Sequence, residues 1–391
     1  MRSFTVVERR TRLARRHFLG TAGDSVPDIA GRLVGLHATD PATPYLSLWA
    51  RIPGFTVPDL DAALYQQRTV VKHLAMRRTL WLIRCADLPV IQAAASDRVA
   101  ANERRRLIAD AEKSGVAADG SAWLETACSA VLRHLAEHGP TGARQLRAAL
   151  PELAGNHDAA PGKRWGGETP LSPRVLTVLG VRGAIVRGPN DGGWTASRPR
   201  WTTVGDWLGP MESPPDAADA AAVAVSRWLR AFGPATVNDV KWWFGNTLTW
   251  ARDALRAVGA VEVDLHGTPG VALPDDLDTE PETEPWAALL PGLDVTTMGW
   301  NDREWYLGAH RGHVFDSNGN GGPTAWWNGR IVGGWGQDPD GHVELHLLDD
   351  VGRDGIAALS QRAELLTAWL AGARVSPRFP SPLSKTAIRA V

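Results

Sequence analysis

Apolar and polar positions along the chain recur as a block of helix, tight turn, helix and hairpin. The segment Leu135-Ala-Glu-His-Gly-Pro-Thr-Gly-Ala-Arg-Gln-Leu146 matches Leu229-Arg-Ala-Phe-Gly-Pro-Ala-Thr-Val-Asn-Asp-Val240. Each copy has an apolar helix that stops at Gly-Pro and a nearby Thr able to cap a new helix. The second helices carry apolar residues at helical spacing: Leu146, Leu150 and Leu153 in one, Val240, Trp243 and Phe244 in the other. The pattern predicts a hairpin after each. The first runs over 183–187, turns at 189–193 and returns from Trp194. The second pairs 260–264 with 271–273 across Gly267 to Gly270. This is the order of a winged helix-turn-helix. A more divergent third copy is predicted at the N-terminus, with helices over 25–36, 43–51 and 58–66, then strands over 70–74 and 79–83 around Met76-Arg-Arg78.

From about Trp286 the texture changes to short β-like runs, such as 313–315, 330–332 and 343–347, parted by Gly/Asn turns. Even spacing of this kind predicts a small antiparallel β-barrel or curved sheet. Residues 354–370 read as an amphipathic helix, and the Pro-rich tail from Ser376 as extended. The expected fold class is α+β: tandem winged helix-turn-helix units, three in number, followed by a small antiparallel β-barrel. The spans are 1–115, 120–210, 216–280 and 285–391.

Length and composition agree. At roughly 100–200 residues per domain, 391 residues allow several domains, and 44% hydrophobic with 22% charged residues is ordinary globular usage. No apolar run approaches the ~18 residues of a membrane span, and the basic N-terminus lacks a signal-peptide core. Cys85 and Cys128 form no metal or disulfide pattern. A cytoplasmic protein is expected. The net charge of −1 argues against a uniformly basic nucleic-acid binder, but the charges are unevenly placed. Residues 1–20 hold six arginines against Glu8, while acids gather in Asp275-Asp276 to Glu284, read as a solvated loop. The arginines at 9, 12, 15 and 16 fall at helical spacing; Arg9, Arg12, Arg15 and Arg16 are either phosphate contacts or a solvated helix face. Lys72, His73, Arg77 and Arg78 occupy the N-terminal hairpin, where a wing can probe a groove, with Met76 as a candidate wedge.

The candidate chemistry lies at His37, Thr39 and Asp40, polar side chains crowded between two apolar runs ahead of a Pro41 to Pro44 break. A neutral imidazole of pKa ~6.5 can take a proton from water near neutrality. The bland alternative is a structural histidine followed by a Thr-Asp-Pro turn. His134 and His138 stand at i, i+4, but the acid between them is at Glu137, which is not the zinc-protease order. No metal site or cofactor is expected.

Several of these segments, in chain order, resemble the AlkZ-like winged-helix DNA glycosylase family that includes YcaQ. They are Gly35-Leu-His-Ala-Thr39 with Tyr45 to Trp49, Met76-Arg-Arg-Thr-Leu-Trp-Leu82, Phe232-Gly-Pro-Ala-Thr236 with Asp239 and Trp242, Leu290-Pro-Gly-Leu-Asp294, and Asn328-Gly-Arg330 with Gly334-Trp335. The resemblance implies a C-shaped scaffold and hydrolysis of the N-glycosidic bond of alkylated, N7-substituted purines, bulky adducts and interstrand crosslinks included. It implies double-stranded DNA carrying such purines as partner and a monofunctional enzyme without metal; a monomer is expected. Members of the family use Gln-x-Gln or Gln-x-Asp where this chain has His37 and Thr39. His37 then replaces a water-orienting glutamine, Thr39 holds the same water or a phosphate, and Asp40 orients His37 or stabilises the sugar cation. The alternative is a non-catalytic winged-helix DNA-binding protein, a regulator or damage sensor.

Overall fold

A computed structural model describes residues 1–158 and 167–389. The chain opens with α1 (Val6–Arg16), started by a reciprocal capping box between Thr5 and Glu8. Next come α2 (Val26–Arg32), β1 (Leu36–His37), α3 (Thr43–Trp49) and α4 (Val57–Asp61), which runs on as a π-helical turn, Ala62–Gln66. The hairpin β2 (Val70–Leu74) and β3 (Leu80–Arg84) closes this unit, with α5 (Leu88–Ile91) and α6 (Asp97–Lys113) leading out of it. A second unit holds α7 (Gly120–His138), β4 (Thr141–Gly142), α8 (Ala143–Ala149), the small pair β5 (Asn156–Asp158) and β6 (Glu168–Pro170), α9 (Ser172–Val181), β7 (Ile185–Asn190), β8 (Pro199–Thr203) and α10 (Val204–Leu208). A third holds α11 (Ala217–Phe232), α12 (Val237–Phe244), α13 (Leu248–Ala257), β9 (Val261–Leu265) and β10 (Thr268–Ala272).

The three units share one connection. In each, a short extended segment between two helices pairs antiparallel with the last hairpin strand: β1 with β3, β4 with β8, and Ala235 with Val271 of β10. The first two sheets therefore run β1-β3-β2 and β4-β8-β7. The return strand of the second unit's hairpin starts at Pro199, not Trp194. Trp194 is drawn off by aromatic packing, 5.4 Å from the Tyr45 ring and 5.5 Å from Trp369. Leu150 and Leu153 fall beyond α8, because Pro151 cannot continue it and opens a 3-10 turn.

The C-terminal part contains β11 (Ala287–Leu290), α14 (Glu304–Leu307), α15 (Arg311–Val314), β12 (Thr324–Trp327), β13 (Arg330–Gln337), β14 (Val343–Leu347), α16 (Gly352–Leu370) and α17 (Pro382–Arg389). The barrel expectation is corrected here. The four strands form an open antiparallel sheet in the order β11-β12-β13-β14, and no sheet among the described residues closes. Residues 313–315 are mostly helix rather than strand. The sheet needs no closure because α16 covers its inner face, with Leu359, Ala363, Leu366 and Leu370 buried against Ala287, Leu289 and Val332.

The first unit, the third unit and the C-terminal sheet share one core. Trp81, Trp228, Trp243 and Trp326 are fully enclosed in it. The second unit has a separate core built on Leu124, Val131, Leu146, Val175 and Leu179. The joint core is pinned by a buried ion pair. Arg51 Nη2 and Asp294 Oδ1 lie 2.8 Å apart, both side chains wholly shielded from water. Every remaining polar atom is answered. Arg51 also donates to the carbonyls of His17 and Ser47 and to Thr296 Oγ1, while Asp294 accepts from Ser47 Oγ and the Thr296 N–H. His17 continues the network, with Nδ1 2.7 Å from Thr296 Oγ1 and Nε2 3.2 Å from the Ala231 carbonyl oxygen. Burial opposes ionisation of Asp294, but the Arg51 charge and these hydrogen bonds hold its carboxyl below the ordinary range. Asp294→Ala leaves Arg51 charged in a dry interior, and we expect it to lower the unfolding free energy by about 3–5 kcal/mol in urea denaturation. A loss below about 1 kcal/mol would contradict the role given to this pair.

Candidate active site

Gly35 sets the entry to β1. Its φ of +110° is closed to L side chains, and a Cβ there would meet Ile83 Cδ1 at 2.7 Å. The tight approach lets Leu36 pair with Leu82 and His37 with Trp81. His37 is thus held by the hairpin it faces, 3% exposed and with its ring 5.1 Å from that of Trp81. Its Nδ1 accepts the Thr39 backbone N–H at 3.4 Å. A nitrogen that accepts cannot carry the proton, so the neutral ring bears its hydrogen on Nε2.

Burial, seconded by the nearby Arg77 charge, pushes the His37 pKa down to about 3. The imidazole is neutral across the working range. It is a far weaker base than the unperturbed ring the sequence suggests, and it offers a hydrogen-bond donor instead. Thr39 is half-buried, and its Oγ1 accepts the Leu80 N–H at 3.1 Å, which leaves one lone pair and its own hydrogen unused. Asp40 is buried and serves the backbone: Oδ1 accepts from Ala42 N–H at 3.1 Å and Oδ2 from Arg378 N–H at 2.8 Å. No hydrogen bond joins it to His37 among the described residues. Beyond Asp40 lies a cavity of about 220 Å³ walled by Leu46, Pro291, Trp335 and the tail from Arg374 to Pro377.

The other candidate residues divide. Arg12 and Arg16 reach Asp276 at 3.0 and 2.7 Å, and Arg16 also pairs with Glu280. Arg15 Nε donates to the Pro281 carbonyl. The acidic loop read as solvated is therefore strapped to α1 by the arginines read as phosphate contacts. Arg9 is buried 4.1 Å from the Trp305 ring centroid, and burial lowers its pKa to about 10 against the pull of Asp239 and Asp302. His73 is enclosed, with Nε2 2.9 Å from Ser96 Oγ, and burial takes it to about 4. Met76 is fully buried in the shared core, so it is no wedge in this conformation.

Arg77 and Arg78 both stand at positive φ, in the connection over 75–79 that turns β2 back into β3. The tip does not project freely. Arg77 stacks 4.0 Å from the Trp242 ring of the third unit, and its Nε and Nη2 are enclosed without a hydrogen-bond partner among the described residues. Burial, with Arg303 nearby, lowers it to about 9. Arg78 is exposed and pairs with Glu103 at 2.7 Å. Lys72 is half-buried, 5.6 Å from the Tyr45 ring centroid, and burial together with Arg187 brings it down to about 8.

The sequence reading missed Arg187 and Arg378, which gather beside Lys72 and Thr39, and it quoted Asp294 without its partner Arg51. The packing of β2 against β7 and the return of the tail to Asp40 carry no local signal. On the exposed β13–β14 turn, Asp338, Asp340 and His342 come within metal-ligand spacing, but Asp338 already accepts from the His342 backbone and contacts its ring.

Three comparisons bear on this geometry. The family model described as DNA glycosylase AlkZ-like matches residues 30–369. An interstrand DNA cross-link repair glycosylase of Streptomyces sahachiroi is 29% identical over 171 residues, a match that spans 41% of this chain and 45% of that relative. The structure of Streptomyces sahachiroi DNA glycosylase AlkZ aligns with a TM-score of 0.73 at 21% identity, covering 96% of this chain and 99% of that one; the likeness is one of fold.

Three enclosed histidines give the stability a defined pH dependence. Burial lowers His17 to about 3, His37 to about 3 and His73 to about 4, whereas the unfolded chain titrates near ~6.5. Between those values the unfolded state binds protons that the folded state refuses. Stability is therefore full above pH ~6.5 and falls as the pH drops below it. The urea midpoint should decline from pH 7.5 to 5, and the His37 ring resonances should not titrate over that range; a His37 titration near neutrality would overturn its enclosure.

Proposed function

The chain belongs to the AlkZ-like DNA glycosylase family, and we propose that it hydrolyses the N-glycosidic bond of N7-alkylated purines in double-stranded DNA. The observation that carries this reading is the pair of hydrogen-bonding groups at His37 and Thr39. His37 offers Nε2–H, and Thr39 Oγ1 keeps a lone pair free beside the Leu80 N–H it accepts. A water that accepts from His37 and donates to Thr39 retains one lone pair for the sugar C1′.

An N7-alkylpurine is already cationic. When C1′–N9 breaks, the bonding electrons neutralise the base and leave an oxocarbenium-like sugar, as in other glycoside hydrolysis. Water adds to C1′ and loses its proton to solvent, yielding an abasic site and the free base. A cation this electrophilic needs an oriented water more than a strong base, which suits a histidine held neutral. Arg77, whose charge opposes protonation of His37, helps keep it so. Asp40 contributes by fastening the turn after Thr39 and the tail across it.

The scaffold reading goes with this function. The shared connection of the three units supports three tandem winged helices over 1–115, 120–210 and 216–280, ahead of a C-terminal part over 285–391 whose sheet is open. Interstrand crosslinks are the lesions favoured by the name of the Streptomyces relative, and bulky N7 adducts present the same cationic base. We take the protein to act as a monomer on cytoplasmic DNA; no helix among the described residues is long and apolar enough to cross a membrane.

A second reading, a DNA-binding protein that does not cleave, is favoured by the enclosure of His37. Both are tested by incubating the protein with duplex containing N7-methylguanine and scoring abasic sites by alkaline scission. We expect base release that falls about 100-fold or more in His37→Ala and is flat from pH 5.5 to 7, because His37 does not titrate there and Lys72, at about 8, stays charged. A limb near pH ~6.5 would restore the general-base role, and binding without any base release would establish the second reading.

A further inference from the structure

The cleft between β2 and β7 holds chemistry that the water-positioning site does not use. Lys72 and Arg187 both line it, together with Leu80, Gly180 and Trp201, around a space of about 40 Å³. The Arg187 guanidinium lies 4.7 Å from the Trp201 ring centroid. Neither cation meets a carboxylate at ion-pair distance among the described residues. Asp61, whose charge favours that of Lys72, is engaged by the Tyr45 hydroxyl at 2.6 Å. Arg378 completes the group. Its charge acts on Arg187, its side chain is exposed, and its Nη1 lies 3.5 Å from the Thr39 carbonyl oxygen. A hydrogen bond joins the cleft wall to the site, since Leu80 donates its N–H to Thr39 Oγ1.

This arrangement differs from that of Arg12, Arg16 and Arg51, although Arg77 and Arg303 are also shielded with no carboxylate at ion-pair distance among the described residues. Arg12 and Arg16 are answered by Asp276, and Arg51 by Asp294. Half-buried like charges with no acid at ion-pair distance weaken the folded state, and burial with Arg378 nearby lowers Arg187 to about 10. Such a cluster becomes favourable when an anion with several acceptor oxygens enters, because a guanidinium fork can take two of them and an ammonium a third.

We infer that Lys72, Arg187 and Arg378 clamp one backbone phosphate of the DNA strand whose damaged nucleotide is presented to His37 and Thr39. The part about the damaged nucleotide rests on the glycosylase reading; the phosphate clamp itself does not. Phosphate contacts fix register without reading sequence, so these are positioning residues that set where the sugar lies relative to the held water.

The test uses the full chain and a duplex with a tetrahydrofuran abasic analogue, which cannot be cleaved. Lys72→Met and Arg187→Met are compared with wild type for melting temperature and for affinity between about 50 and 200 mM salt. Arg353→Met, on the exposed start of α16, is the control. Both clamp variants should melt no lower than wild type, since each removes an unanswered charge. They should bind more weakly at low salt, with a slope of log affinity against log salt shallower by about 0.9. Arg187→Lys should recover the slope, and Arg353→Met should not change it. Folded clamp variants with the wild-type slope, or variants that melt lower while binding as well, overturn the clamp. So does inorganic phosphate alone stabilising wild type and not Arg187→Met while the DNA slopes stay equal, which marks a free-anion site. Base release is a separate readout. Its absence with a shallower slope removes the glycosylase reading and keeps the clamp, and its presence with an unchanged slope does the reverse.

Discussion

A guanidinium and a carboxylate removed entirely from water fix the geometry on which the rest of this molecule depends. Arg51 at the end of α3 and Asp294 after β11 are far apart in sequence, and neither tolerates burial without the other. Their shared shell of Ser47, Thr296 and His17 ties α1, α3, the end of α11 and the C-terminal sheet at one point. The segment from Gly35 to Asp40 enters α3, so the candidate site inherits its orientation from that point. Apolar burial supplies the bulk of the cohesion here, but it is not directional. The polar knot at its centre selects one arrangement among the ways these helices could pack.

Charge follows two regimes. On the side of α1, cations and acids are matched, and the loop from Asp275 to Glu284 is spent in holding the helix. On the side of Lys72, Arg187 and Arg378, cations face one another with no carboxylate at ion-pair distance among the described residues. A net charge of −1 conceals both, because the sum is blind to which arginines are already neutralised within the fold. The candidate site lies on the unmatched side, where a polyanion would find open contacts.

Local order was legible in the sequence wherever the signal is local. The capped helix at Thr236, the hairpin of 261–272 and the amphipathic helix ending at Leu370 follow from caps, turns and periodicity. His37 and Thr39 were found as a polar pair at a turn, though their protonation was not, since that depends on Arg77 and Trp81 closing over the ring. The failures share a cause. Trp194 looks like a strand residue until Tyr45 and Trp369 claim it, and the runs after Trp286 look like a barrel until α16 covers them. The arginines of α1 look free until an acidic loop some 260 residues away folds onto them. In each case a distant partner overrides a correct local preference.

The bond from Arg378 N–H to Asp40 Oδ2 spans nearly the whole chain, and that has a consequence for biogenesis. A polypeptide that has emerged only as far as β10 already contains His37 and Thr39, yet it has neither Asp294 to neutralise Arg51 nor the tail to hold Asp40. Long-range closures of this kind come late in folding, after the entropy of the intervening chain has been overcome. Synthesis thus carries its own timing device: the growing chain passes through most of its length before the site can be completed.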